Sequence, residues 1–258
     1  ESLTQALDYL TQMAQLMSAN PSEFNEPYLY AGLIITYAKL KDTAKVAELI
    51  RIAKSKGLDV GKLEGNLRLA HAIGFAQLLN NQNQEGFQTL KNVYEATARI
   101  GHEVEKARVR LTLSYGYARA GDLQSALQHA QASHDFWKKI GNDRMDMETH
   151  VQMGLIAFQG GQGQAAIEQY NSALDFAQKL NMPVKQGLIY YQLGVTYQNL
   201  QDSEKAVSYL NQSLSIYERL KDGQSQIQIL NDMGTVYEQS GNKKKAKEYR
   251  DKAKKIKN

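Results

Sequence analysis

The chain has 258 residues, 42% hydrophobic and 22% charged, with 3 Pro and no Cys. This composition describes a folded, helix-rich protein rather than a disordered one, and the missing cysteines exclude a disulfide framework, a Cys-based zinc site and a cysteine nucleophile. The net charge of +4 is uneven: residues 241–258 carry nine Lys/Arg against two acidic residues, while the remainder is net acidic.

Apolar runs such as Leu33–Ile35 and Leu155–Phe158 fall far short of the roughly 18 residues that cross a bilayer. The chain begins with Glu1, without an initiator Met or a basic-then-apolar signal segment. We therefore expect a processed form or an excised piece, with more protein before residue 1.

The predicted elements recur with one period. A leading helix over 1–20 carries Ala6 and Leu10. The first helix pair follows with Leu33, Tyr37, the turn Lys41-Asp42 and Val46, and forty residues on stand Ile73-Gly74, Asn81 and Gly86. The third copy has Leu113, Tyr117, Gly121-Asp122 and Ala126, and the fourth has Met153-Gly154, Gly161-Gln162 and Ala166. Leu193-Gly194, Tyr197, Gln201-Asp202 and Ala206 form the fifth, and Met233-Gly234, Tyr237, Gly241-Asn242 and Ala246 the sixth. Between copies a second turn recurs at Gly101-His102, Gly141-Asn142, Asn181-Met182-Pro183 and Asp222-Gly223. The register holds through six copies without an insertion or deletion. Large apolar, small, aromatic, turn and small residues at fixed offsets are what two packed helices need. The small residues admit close backbone approach, the large ones fill holes, and the turn pairs end one helix and cap the next.

Leu193-Gly194 with Tyr197, Ala206 with Leu210, and Ala166 with Tyr170 resemble the L-G-x2-Y and A-x3-F parts of the tetratricopeptide-repeat signature; its Trp and terminal Pro positions are not filled. The 40-residue period is longer than the usual 34 or so and is similar to that of kinesin light chains, spindle-orientation scaffolds and peptide-sensing regulators of the Rap and PlcR kind. The resemblance implies an all-α, right-handed superhelical solenoid of antiparallel helix pairs, six repeats plus a leading half-repeat. We expect a single domain over 1–258, with the half-repeat at 1–20, helix pairs over 27–240 and a basic capping helix at 241–258.

The resemblance also implies a ligand groove on the concave face, lined by the first helix of each pair. Its positions fall two before, two after and five after the repeat leucine. They read Ala31, Ile35, Ala38; His71, Phe75, Leu78; Leu111, Tyr115, Ala118; Val151, Leu155, Phe158; Tyr191, Val195, Gln198; and Asn231, Thr235, Glu238. That stripe is apolar through the middle and polar at its end, which suits a bound peptide or helix; tight curvature would instead bury its Val and Leu members. Arg68 and Arg108, one turn earlier, would pair with a ligand carboxylate or with a neighbouring acid. The Lys/Asn carboxylate clamp of chaperone-binding repeats is missing: only Asn231 matches, against His71, Leu111, Val151 and Tyr191.

No constellation supports catalysis. The five histidines (71, 102, 129, 134 and 150) include no i, i+4 pair of a zinc helix and read as surface or turn residues. Gly160-Gly161-Gln162-Gly163 lacks the Lys-Ser/Thr of a phosphate cradle, Trp137 reads as core, and Ser213 of the Asn211 sequon reads as packed. The lysine-rich last helix reads as a solvated cap rather than a nucleic-acid site. The expected function is a non-enzymatic protein-binding module, scaffold or adaptor, with no cofactor, metal, small-molecule substrate or membrane span; the expected compartment is the cytoplasm, with the periplasm left open because a cysteine-free chain fits both. The alternative is the regulatory domain of a larger signalling protein (a transcription regulator, kinase or cyclase).

Overall fold

The computed structural model describes residues 7–9, 11–13, 15, 26–55 and 63–257. The leading half-repeat, with Ala6 and Leu10, falls largely outside them. Among the described residues there are helices and no strands: α1 (Glu26–Lys39), α2 (Thr43–Ser55), α3 (Leu63–Leu79), α4 (Asn83–Arg99), α5 (Glu103–Arg119), α6 (Leu123–Lys139), α7 (Asp143–Gln159), α8 (Gly163–Lys179), α9 (Pro183–Asn199), α10 (Ser203–Arg219), α11 (Gly223–Gln239) and α12 (Lys243–Lys257). No described helix is long and apolar enough to cross a membrane.

The turns explain the period. From residue 81 to 241 every twentieth residue has positive φ, between 49° and 84°. Each such residue ends a helix in the left-handed conformation, and the next residue closes the turn by donating to a carbonyl five residues back, as Asp202 does to Tyr197 at 3.0 Å. The Asp202 carboxylate then accepts from the Lys205 amide at 3.1 Å and caps the following helix. Asp42, Asp122, Asn142, Asp222 and Asn242 repeat this double role. One expectation is corrected here. In the turn read as Asp222-Gly223 the positive φ (55°) belongs to Lys221, and Gly223 is instead the first residue of α11.

The contacts divide the chain into two compact units, Glu1–Ser133 and His134–Asn258. In the first unit, one core gathers Leu29, Ile34, Leu49, Leu69 and Ile73, and another Leu78, Leu90, Val93, Val109 and Leu113. In the second, Met147, Tyr170, Ile189 and Leu193 form one core and Leu210, Ile229, Met233 and Val236 the next. Ala126, Ala166, Ala206 and Ala246 are at most 2% exposed. They let paired helices close up, as does Gly154, where a Cβ would stand 2.5 Å from Tyr170 Cε1. Trp137 is core, and buried Ser213 donates to the Gly187 carbonyl at 2.8 Å.

Candidate binding face

In the first unit, the register position two after the repeat leucine places Ile35, Phe75 and Tyr115 on successive first helices, each half-buried. The Phe75 and Tyr115 rings meet edge to face with centroids 5.8 Å apart, a favoured quadrupolar arrangement. Arg119, one turn on from Tyr115, fixes this pair. Its guanidinium lies 5.7 Å from the Tyr115 ring centroid and donates to Tyr115 Oη, the Leu78 carbonyl and, at 2.6 Å, Asn81 Oδ1. Leu111 is half-buried beside it.

One turn towards the helix starts, a charged cluster centres on buried Glu105. His71 bridges Glu105 Oε1 and Thr112 Oγ1, 2.7 Å from each. Arg108 Nε lies 3.9 Å from Glu105 Oε2, and Arg68 stands 4.7 Å over the Tyr28 ring. Burial works to raise the Glu105 carboxyl, but the hydrogen bond and charge of His71, with the charges of Arg108 and Arg68, hold it below the usual carboxylate range. Burial, then repulsion from Arg68, lowers Arg108. Of the two roles open to Arg108, the neighbouring acid is present.

The second unit carries half-buried Leu155 and Val195 at the same register position, with Phe158 and Tyr191 half-buried alongside. Tyr191 Oη donates to Asp232 Oδ2 at 2.9 Å, and burial together with that bond pushes the phenol up to about 12. Gln198 donates to Gln239 at 3.0 Å, and Asn231 is exposed, so this face turns polar along α11.

Five expected lining residues are not displayed: the small Ala31, Ala38 and Ala118, at most 8% exposed, and the larger Leu78 and Val151. Leu78, 1% exposed, fills the space over Gly86 and Gly116; Val151, 7% exposed, packs into the core with Met147 and Ala166. The histidine expectation also needs correction. His102 caps α5 as expected, accepting from the Glu105 amide. His129 stacks on Tyr117, and burial, then Arg110, lowers its imidazole. His71 is bound to Glu105, while His134 and His150 are largely buried beside Asp146. Two open clefts of the first unit lie off the first-helix face. One, about 430 Å³, is lined by Phe87, Lys91 and Tyr117, and the other, about 620 Å³, by Ile50, Arg51 and Gln77.

The family model for the tetratricopeptide repeat matches residues 145–219 and 185–258. No curated protein sequence matches. Among solved structures, a Rap protein complexed with Competence and Sporulation Factor is 17% identical, with 98% of this chain and 76% of that one covered and a TM-score of 0.76. BtubC (BKLC) from P. vanneervenii is 20% identical over 86% of this chain and 89% of its own, at a TM-score of 0.65. A STAND signal-transduction ATPase with a tetratricopeptide-repeat sensor, from Pyrococcus horikoshii, is 15% identical over 98% of this chain but 40% of its own, at 0.70. Residues 145–258 are thus matched directly as tetratricopeptide repeats, and the same register runs back through Leu113, Ile73 and Leu33.

Proposed function

We propose that the chain is a protein-interaction module whose first-helix face receives a peptide or helix from a partner, in a scaffold or adaptor role. The supporting observation is the half-buried apolar side chains at one register position in each unit, the Phe75–Tyr115 pair in one and Leu155 and Val195, with Phe158 alongside, in the other. Half-buried aromatics already held by neighbours lose little conformational entropy on binding, which favours their use as anchors. The similarity to a Rap protein solved in complex with Competence and Sporulation Factor agrees with a ligand-binding role. Peptides selected by display on the intact chain test it. Phe75→Ala or Phe158→Ala should weaken them at least tenfold, whereas Phe87→Ala, off this face, should not. Unchanged affinity in both face variants would move the site elsewhere.

A second reading, a sensor segment within a larger signalling protein, is favoured by the STAND ATPase, of which a chain like this one covers 40%. The full-length coding sequence tests it: an adjoining ATPase, kinase, cyclase or DNA-binding domain supports the reading, and an open reading frame confined to the array rejects it.

A further inference from the structure

We propose that His134, Asp146 and His150 form a binding site for a zinc-class divalent ion. All three lie within the second unit, and one donor atom from each comes within 4.8 Å of the others. His134 Nδ1 is 2.6 Å from Asp146 Oδ1, and His150 Nε2 is 3.9 Å from the same oxygen. A tetrahedral zinc ion with bonds of roughly 2.0–2.1 Å sets its donors about 3.3 Å apart, so these separations need only small side-chain adjustments. Two imidazoles and one carboxylate are a borderline-soft donor set that suits zinc rather than calcium or magnesium.

The repeat register supplies its own controls. In the next repeat the three places are held by Leu174, Gln186 and Tyr190, and in the one after by Leu214, Gln226 and Leu230. There the glutamines donate to the carbonyls of Ala177 and Tyr217, at 3.0 Å each, and the leucines are core. The fold therefore closes this junction without an imidazole or a carboxylate, and packing does not require the histidines or the aspartate.

Gln169 adds an independent observation. Its register equivalents Tyr209 and Tyr249 stack on Tyr197 and Tyr237. Here the facing residue is Ala157, and Gln169 Oε1 instead meets His150 Nδ1 at 2.8 Å. A carbonyl acceptor at that distance takes its hydrogen bond from His150 Nδ1, and the other ring nitrogen, Nε2, is the one that faces the Asp146 carboxylate, 3.9 Å away. An ion set between Nε2 and that carboxylate would be held by both. An amide oxygen holding the far nitrogen of an imidazole is also the outer support that metal-binding histidines use.

The test titrates the intact, chelator-treated chain, made without a histidine tag, with Zn²⁺ by calorimetry and with Co²⁺ by visible absorbance. His134→Leu, Asp146→Gln and His150→Tyr each install the residue that the next repeat carries, so they keep the packing that repeat shows. One ion per chain, with an affinity drop of at least about tenfold in Asp146→Gln and His150→Tyr, is the expected result. Absence of stoichiometric uptake by the unmodified chain overturns the proposal. So does uptake that survives both substitutions, since His71, His102 and His129 would then account for it.

Discussion

Gln201 and Lys221 sit at φ of 61° and 55° in turns where equivalent positions are glycine, 121, 161 and 241 for Gln201 and 101 and 141 for Lys221. A left-handed conformation costs a residue with a Cβ about 1–2 kcal/mol, and glycine returns part of that as lost chain entropy. Gln201→Gly should therefore stabilise the chain by about 0.5–1 kcal/mol, and Gly161→Ala should destabilise it by about 1 kcal/mol, both read from urea denaturation. Glu105 provides a second test on this scale. Its carboxyl is lowered in the folded chain, so its contribution is present above the unfolded-state range and fades as pH falls through the lower folded-state value. Glu105→Gln should lower the melting temperature at neutral pH and flatten its decline in acid. An unchanged acid limb would mean that His71 and the arginines do not hold the group as the geometry indicates.

At the scale of elements, the close approach of paired helices rests on small residues facing large ones. A Cβ at position 154 would stand 2.5 Å from the ring of fully buried Tyr170, which has core on every side and cannot swing away. Gly154→Ala should cost about 2–3 kcal/mol, against a surface substitution such as Gln164→Ala, which should be close to neutral. This packing was legible in the sequence because each small residue recurs at one offset from a turn, and so were the helix lengths and caps. The face was legible only in part. Offset counting placed Ile35, Phe75, Tyr115, Leu155 and Val195 on one strip but could not tell that Leu78 and Val151 turn inward, since that depends on Gly86, Gly116 and Ala166 opening space beneath them. Arg119 was readable as the i+4 neighbour of Tyr115. The meeting of His134, Asp146 and His150 was hidden, because an i, i+4 Asp–His pair on one helix is joined by a residue from another, twelve positions earlier.

Within each unit, helices pack on those next or next but one in sequence, as α9 does on α8, α10 and α11. Stability in such an array is close to a sum of repeat and nearest-neighbour terms, so damage should spread along the sequence and fade within a repeat or so. Gly194→Ala places a Cβ 2.7 Å from Leu210 Cγ, at the centre of the α9–α10 pair. Amide hydrogen exchange should then accelerate most in α9 and α10, less in α8 and α11, and not at all in α3, α4 and α5 of the other unit. The fold predicts this gradient because α9 and α10 carry the substituted contact while α8 and α11 lose only part of a shared interface. Uniform acceleration across every helix would show instead that the chain opens as one cooperative body. In that case the zinc-class site proposed in the second unit would be expected to raise protection in the first as well.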